Sequence, residues 1–309
     1  MNGQRILALD FGGTRMRAAW IRFNADFQPT IDQRAETPTL AADPVDTVIA
    51  RLITLAQQVI PKGEQPEAVG IAAPGPHDAK SGVIYHSYTL PGWKDVPLAH
   101  LLADALGAPV FMQNDGNLGA VAEYMGGAGK GCNPMIYMTI STGIGGGVMI
   151  DGKLFTGWSG LAAEPGHQMM RSPEGDWVRL EAIASGTAIG QRAGRDGAAV
   201  ARAAEAGDGR AIDVINTVSQ YLGMGIVSLL HLFSPEAIVI GGSVAKLGDR
   251  LFDPVRAIIQ EQVLDPRFVP PNLIRPAHFG EDVCLIGAAM WAVSQQAASQ
   301  VQHEREGAK

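Results

Sequence analysis

The strongest constraint on the fold is a pattern that occurs twice, an apolar strand that ends in a glycine-rich turn. Residues 136–147 read Ile-Tyr-Met-Thr-Ile-Ser-Thr-Gly-Ile-Gly-Gly-Gly, and their alternating apolar residues have the period of a half-buried strand. Residues 6–14 read Ile-Leu-Ala-Leu-Asp-Phe-Gly-Gly-Thr and follow the same plan. Glycine can adopt positive φ and lets backbone N–H groups approach an anion closely. The pattern predicts either two tight hairpins or two loops that hold one polyphosphate.

Two further features favour the phosphate interpretation. Asp10 precedes the first turn, where one carboxylate suits a hydrated Mg²⁺. The simpler alternative is that Asp10 only shapes the bend as an Asx-turn residue. A third turn, Gly241-Gly242, follows the β-branched strand 238–240, and this placement fits a nucleoside lying against a strand-to-helix turn.

Composition narrows the class of protein. The 309 residues are enough for two domains, and 46% hydrophobic against 18% charged residues excludes a disordered chain. A net charge of −7 argues against a nucleic-acid partner, which needs clustered Lys and Arg. Two cysteines far apart in the sequence indicate a reduced, cytoplasmic setting. We find no signal peptide and no apolar run long enough to span a membrane, so no membrane partner is expected.

Six segments in order resemble the ROK family, which comprises sugar kinases, repressors and related proteins. They are residues 10–15 (Asp-Phe-Gly-Gly-Thr-Arg), 114–115 (Asn-Asp), 141–147 (Ser-Thr-Gly-Ile-Gly-Gly-Gly), 164–167 (Glu-Pro-Gly-His), 180–186 (Leu-Glu-Ala-Ile-Ala-Ser-Gly) and 238–242 (Ile-Val-Ile-Gly-Gly). The resemblance implies an α/β, two-lobed, actin-like ATPase (ribonuclease-H-like) fold with ATP in the interdomain cleft. It also implies a homodimer.

The expected lobes are 1–114, closed by the C-terminal helix at 283–300, and 115–282, which carries ATP and sugar contacts. A helix is predicted at 43–60, with Asp43 as its cap, because Pro44 suits a first helical turn. Another is predicted at 178–192. No internal repeat is evident from the sequence.

Asp115 carries the central chemical hypothesis. On local grounds it is a helix N-cap, because it follows a strand and opens a helix. The resemblance implies instead that Asp115 is the general base that takes the proton of the sugar hydroxyl while phosphate is attacked.

The resemblance also assigns the binding residues. It implies that ATP and Mg²⁺ are held by the three glycine turns and Asp10, which binds the metal through water, and that a hexose or amino sugar is held by side chains and one backbone segment. The nucleotide set is Asp10, Gly12, Gly13, Thr14, Ser141, Thr142, Gly143, Gly145, Gly146, Gly241 and Gly242; the sugar set is Gly75, Thr89, Asn114, Glu164, His167 and Glu181.

The sequence departs from the family pattern at two places. Most members have a cysteine-rich loop after the Gly-His pair that binds zinc, whereas residues 168–180 contain no cysteine. His167 alone cannot supply the four ligands of a zinc site, so we predict no zinc. Thr89 stands where glucokinase-like members usually have Asn, which leaves the assignment to glucose open.

These features predict an ATP-dependent hexose kinase. Fructose, mannose, an N-acetylhexosamine or a rarer hexose are alternative acceptors. A sugar-sensing repressor is the rival from another class. It is disfavoured because about five residues precede the first strand, where such repressors carry a DNA-binding segment, and because both phosphate loops are present.

Overall fold

The computed structural model describes residues 3–87, 89–195 and 197–307. The chain divides into two compact units. The first is Met1–Gly126 together with Asp282–Lys309, and the second is Gly127–Glu281.

The elements of the described chain follow in sequence order. The first part of unit 1 contains β1 (Arg5–Phe11), β2 (Arg15–Phe23), β3 (Pro29–Pro38), α1 (Val45–Val59), β4 (Ala68–Ala72), β5 (His77–Asp78), β6 (Val83–His86), β7 (Lys94–Val96), α2 (Leu98–Leu106), β8 (Val110–Gln113) and α3 (Asp115–Met125). Unit 2 contains β9 (Met135–Ile140), β10 (Ile144–Ile150), β11 (Lys153–Leu154), β12 (Met169–Arg171), β13 (Trp177–Arg179), α4 (Leu180–Ala184), α5 (Gly186–Ala193), α6 (Gly197–Glu205), α7 (Gly209–Phe233), β14 (Ala237–Gly241), α8 (Asp249–Gln262) and β15 (Ile274–Pro276). Helix α9 (Val283–Gly307) returns to unit 1.

Unit 1 is built on a five-stranded sheet of order β3-β2-β1-β4-β8. Strands β1 to β3 form an antiparallel meander, and β4 and β8 extend the sheet parallel to β1. The middle of β1, residues 6–9, is fully buried, as its continuous apolar run predicts. Helix α9 packs so closely on β4 that a Cβ at Gly70 would overlap the Ala288 carbonyl.

Unit 2 repeats this plan with different residues. Its sheet has the order β11-β10-β9-β14-β15, in which β9 to β11 are antiparallel and β14 and β15 are parallel to β9. The first strand of each sheet, β1 or β9, leads into a glycine turn and an antiparallel partner. The two units are therefore structural repeats, which the sequence did not reveal because different side chains fill the two cores.

Three expectations differ from the structure. The division falls at 126/127 rather than 114/115, because α3 packs against α9, where Gly287 lies against the Leu118 carbonyl. Asp43 does not cap α1; Pro44 holds that position, and Asp43 pairs with Arg51 at 2.5 Å. The helix expected at 178–192 is broken between α4 and α5, where Ser185 caps α5 by accepting a hydrogen bond from the Ala188 amide.

No helix in the described ranges combines the length and the apolar character that crossing a membrane requires.

Candidate active site

The carboxylate of Asp115 lies at the first turn of α3, directly after β8. Asn114, not Asp115, is the N-cap, since its Oδ1 accepts a hydrogen bond from the Asn117 amide at 2.6 Å. Asp115 Oδ1 accepts from the Gly116 amide at 2.8 Å. The local expectation that Asp115 serves as the cap is therefore wrong. The residue as a whole is exposed, and no described residue donates a side-chain hydrogen bond to its second oxygen, Oδ2.

The environment of Asp115 favours proton uptake. Although solvent reaches the side chain, surrounding protein limits its hydration, and this desolvation raises the pKa of Asp115. The negative charge of Asp10 raises it further, against the lowering effect of the Gly116 amide. A carboxylate with a raised pKa is a better proton acceptor than an ordinary aspartate, provided that it is ionised at the working pH.

Two buried amides hold the strand-to-helix junction in place. Gln113 Oε1 accepts from the Asn114 amide at 2.9 Å and from Asn117 Nδ2 at 3.2 Å. Because the side-chain oxygen of Asn114, Oδ1, accepts the capping hydrogen bond, Nδ2 is the side-chain group that Asn114 can present to a ligand. This geometry makes Asn114 a hydrogen-bond donor toward a hydroxyl.

Asp10 lies at the end of β1 opposite Arg17 in the β1–β2 register. Arg17 donates to Asp10 Oδ2 from Nε at 2.8 Å and from Nη2 at 2.5 Å. The ion pair occupies one carboxylate oxygen, and Arg17 leaves Oδ1 without a hydrogen bond among the described residues. Cys284, at the start of α9, belongs to the same group: burial and then Asp10 and Asp115 raise the pKa of its thiol and keep it neutral.

The first glycine turn joins β1 to β2. The Gly12 amide donates to the Arg15 carbonyl at 3.0 Å, and Thr39 ties the turn down by donating from Oγ1 to the Gly12 carbonyl at 2.6 Å. A Cβ at Gly13 would lie 2.6 Å from Cβ of Thr89. The structure thus brings Thr89 against the turn that contains Gly12, Gly13 and Thr14. Gly75, beyond the end of β4, is exposed.

The second glycine turn, residues 141–143, joins β9 to β10. The Gly186 amide donates to the Ser141 carbonyl at 2.7 Å, and Thr187 Oγ1 donates to the Thr142 carbonyl at 2.7 Å. Glu181 Oε2 accepts from the Ile144 amide at 2.9 Å. The start of α4 and the start of α5 therefore hold this turn from one side.

Gly143 and Gly146 are small for packing reasons rather than for positive φ. Gly143, Gly145 and Gly146 are absent from the positive-φ residues of the described chain. Gly145 and Gly146 lie within β10 and not in the turn, and a Cβ at Gly146 would be 2.7 Å from Pro165 Cγ. The turn is therefore shorter than the Gly-rich segment 141–147: residues 141–143 form it, and β10 begins at Ile144. The phosphate role of the segment stays a prediction.

A pocket of about 620 Å³ lies beside the 141–143 turn, wholly within unit 2. Hydroxyl groups, small residues and aliphatic side chains line it, and its volume suits a nucleoside-sized ligand. Its lining is Ser141, Thr142, Gly186, Thr187, Ile189, Gly190, Gly197, Ala201, Ser243, Val244, Lys246 and Leu247.

Gly241 ends β14 and Gly242 follows it. Both line an adjoining depression of about 490 Å³, which shares Ser243 and Lys246 with the larger pocket. Gly242 has φ +88°, and a Cβ there would overlap the Ile140 backbone. At this position the left-handed backbone does require glycine.

Glu164 and His167 flank a 3-10 turn, Pro165–His167, which the Pro-Gly pair predicts. His167 Nδ1 lies 3.8 Å from Glu164 Oε2, and its Nε2 lies 3.2 Å from Arg179 Nη1. Since Arg has no acceptor, Nε2 of His167 is the acceptor, and the proton of the neutral ring is on Nδ1. Nδ1 can then donate to a ligand.

The segment that replaces the cysteine-rich loop is the β12–β13 hairpin. Arg171 stacks its guanidinium 5.5 Å from the Trp177 ring centroid, and Tyr221 Oη donates to the Arg171 carbonyl at 2.9 Å. Within the described ranges, no group of three or more His, Cys, Asp or Glu is placed to hold a metal ion. That no zinc is bound stays a prediction, which elemental analysis of protein purified without added metal checks.

Sequence reasoning missed several residues of this region, among them Arg17, Thr187, Lys246 and Arg179. Arg17 could have been found by pairing the strands across the Gly-Gly turn, which sets it opposite Asp10. Thr187 and Lys246 have no local signal, because they reach the pocket only through the packing of α5 and the segment after β14.

Comparisons with known proteins agree with these features. Residues 6–295 match the ROK family. The glucokinase of Thermotoga maritima is 30% identical, covering 92% of this chain and 96% of that protein, and the N-acetylmannosamine kinase of Citrobacter koseri is 33% identical, covering 93% and 98%. The ROK family glucokinase of Streptomyces griseus, solved with glucose and AMPPNP, is 28% identical with a TM-score of 0.78 over 94% of this chain and 99% of that chain. The expected actin-like ATPase fold is confirmed, and the chain belongs to the ROK family.

Proposed function

We propose that this protein is an ATP-dependent sugar kinase that transfers a phosphoryl group to a hydroxyl of a hexose or amino sugar. The observation that carries the proposal is that the Asp115 carboxylate is not used as the cap of α3. Asn114 takes the capping role, so the Asp115 carboxylate retains an oxygen that can accept the proton of the attacking hydroxyl.

The donor nucleotide is assigned to unit 2. Ser141, Thr142 and Thr187 bring hydroxyl groups to the 620 Å³ pocket, and Lys246 brings a positive charge. Phosphoryl transfer is catalysed mainly by positioning and by charge stabilisation, which hydroxyls, backbone amides and a lysine can supply. The first glycine turn, Gly12 to Thr14, is assigned to the phosphates as well.

The acceptor sugar is assigned to Asn114, Glu164, His167 and Glu181. Asn114 Nδ2 and His167 Nδ1 are donors, whereas the two glutamates are acceptors, so the set can distinguish the orientation of hydroxyls around a ring. Relatives named as a glucokinase and as an N-acetylmannosamine kinase are similar at 30% and 33% identity, which supports both a hexose and an amino sugar as candidate acceptors.

Mg²⁺ fits the donor set of unit 1. Arg17 occupies Oδ2 of Asp10, and Oδ1 remains to accept from a metal-bound water. When bound, Mg²⁺ would neutralise charge on the phosphates of ATP. Asp10 is the residue we assign to it.

A cytoplasmic location and a homodimer are also part of the proposal. The two free cysteines, Cys132 and Cys284, support a reducing compartment. Sedimentation equilibrium tests the dimer.

A coupled assay of ADP release tests the function. Glucose, mannose, fructose, N-acetylglucosamine and N-acetylmannosamine are each supplied with ATP and Mg²⁺, and we expect sugar-dependent ADP formation with at least one. If calorimetry detects sugar binding but no sugar increases the rate of ADP formation, the protein is a sugar sensor and the proposal is overturned.

A further inference from the structure

The Glu181 side chain packs directly on the 141–143 turn. Its Oε2 accepts a hydrogen bond from the Ile144 amide at 2.9 Å. The same oxygen occupies the space in which a Cβ at Gly143 would lie. Gly143 is therefore small because Glu181 lies against it. The structure gives Oε1 of Glu181 no hydrogen bond to any described residue.

Residues of one seven-residue segment, 181–187, make the hydrogen bonds that hold this turn from outside the hairpin. Gly186 and Thr187 bind the carbonyls of Ser141 and Thr142, and Glu181 binds the following amide. The segment is short and internally bonded, since the Ser185 amide donates to the Glu181 carbonyl at 3.3 Å. Gly186 and Thr187 also line the pocket assigned to the nucleotide.

We infer that Glu181 is a positioning residue that couples the sugar to the nucleotide: Oε2 holds the 141–143 turn in its nucleotide-binding form, while Oε1 is left for a sugar hydroxyl. The inference rests on the proposed function, from which it takes the sugar and the nucleotide. A sugar that holds the Glu181 carboxylate in place would stabilise the turn and strengthen nucleotide binding. By reciprocity, the nucleotide would strengthen sugar binding by the same factor.

Charge repulsion alone predicts the opposite effect of removing Glu181 on ADP affinity, which makes the inference testable. A carboxylate near bound phosphates repels them, so its removal should tighten ADP binding if Glu181 has no positioning role. If Glu181 holds the turn, its removal should weaken ADP binding even when no sugar is present. We expect Glu181→Ala to weaken ADP binding by about 5- to 20-fold, the loss of one charge-assisted hydrogen bond in a turn that keeps its other supports.

The experiment measures binding of Mg·ADP by calorimetry without sugar, for the parent, Glu181→Ala, Glu181→Gln and Glu174→Ala. Glu181→Gln keeps an oxygen that can accept a hydrogen bond from the Ile144 amide, so it should bind ADP more tightly than Glu181→Ala does. Glu174→Ala removes an exposed carboxylate of the β12–β13 hairpin and should leave ADP binding unchanged. Unchanged or tighter ADP binding by Glu181→Ala would overturn the inference.

Hydrogen–deuterium exchange of the peptide that spans the turn gives a readout independent of nucleotide. Exchange should be faster in Glu181→Ala than in the parent and in Glu174→Ala. Equal exchange in all three would refute the positioning role. A parent that binds no ADP would refute the proposed function instead, and the exchange result would still decide whether Glu181 holds the turn.

Gly143→Ala keeps the test decisive if Glu181→Ala is poorly folded, and a double-mutant cycle extends the test if that variant folds. Gly143→Ala places a methyl group where Glu181 Oε2 lies, so it should weaken ADP binding in the parent. Where Glu181→Ala folds, the added methyl group has room in that background, so the two changes act on one contact and their effects should not add. Additive effects would contradict the inference.

Discussion

Replacement of Asp115 by Asn tests the chemistry with little change of structure. Asn retains an Oδ1 that can accept a hydrogen bond from the Gly116 amide, and Asn114 continues to cap α3. The other oxygen becomes an NH₂ group, which cannot take up a proton. The variant should therefore fold and bind both substrates while losing turnover.

The expected loss is about 10²- to 10⁴-fold in kcat, the usual effect of losing a general base, or about 2.7–5.4 kcal/mol of transition-state stabilisation. The raised pKa of Asp115 adds a second signature. Since the base must be ionised, kcat/KM of the parent should fall on the acid side through a pKa above that of an ordinary aspartate. The residual activity of Asp115→Asn should not follow that titration.

Steady-state ADP release between pH 4.5 and 9, with ADP and sugar affinities from calorimetry, provides the measurement. Asp46→Asn is the matched control, because it removes a carboxylate from the first turn of α1 in the same unit. The control should keep full activity. Turnover of Asp115→Asn within threefold of the parent would refute the role of Asp115 as base.

Three further outcomes are expected. The raised pKa of Asp115 means that the folded state holds the carboxyl proton more tightly than the unfolded chain does, so the stability that this proton contributes is present below the unfolded pKa and is lost as pH rises through the folded pKa. Asp115→Asn should therefore melt at a higher temperature than the parent at pH 8. An equally large gain in melting temperature at pH 3 would contradict this explanation. Arg179→Ala removes the donor to His167 Nε2 and should raise KM for the sugar by about 2- to 10-fold with kcat nearly unchanged, as kinetics with Arg179→Lys for comparison will measure. Gly70→Ala should lower the free energy of unfolding in urea by about 1–3 kcal/mol or more, because its Cβ overlaps the Ala288 carbonyl, whereas Gly209→Ala, with open space around it, should not.

Local patterns predicted the elements that position the site. The apolar runs of β1 and β9 and the Gly-rich segments after them predicted two hairpins, and the structure contains both. The Asn-Asp pair after β8 predicted a strand-to-helix junction at the right place. These predictions succeeded because strand period, turn composition and helix starts depend on neighbours in the sequence.

The reason for individual glycines was not predictable from the sequence. Gly143 and Gly146 are consistent with a flexible phosphate loop, yet Glu181 and Pro165 occupy the space beside them. Only Gly242 among the predicted nucleotide-site glycines has positive φ in the described chain. A close contact between residues distant in the sequence leaves no local pattern, so composition cannot distinguish a glycine needed for φ from one needed for space.

The sequence by itself determined the family, the α/β class and the residue types that phosphoryl transfer requires, because each depends on short segments kept in order. Tertiary structure decided which atoms of those residues are available. It gave the cap to Asn114 and so freed Asp115, paired Asp10 with Arg17, and placed Glu181 on the 141–143 turn. Hydrogen-bonding capacity is a property of the residue, but which part of it is left for a substrate depends on the partners that the folded chain brings within reach.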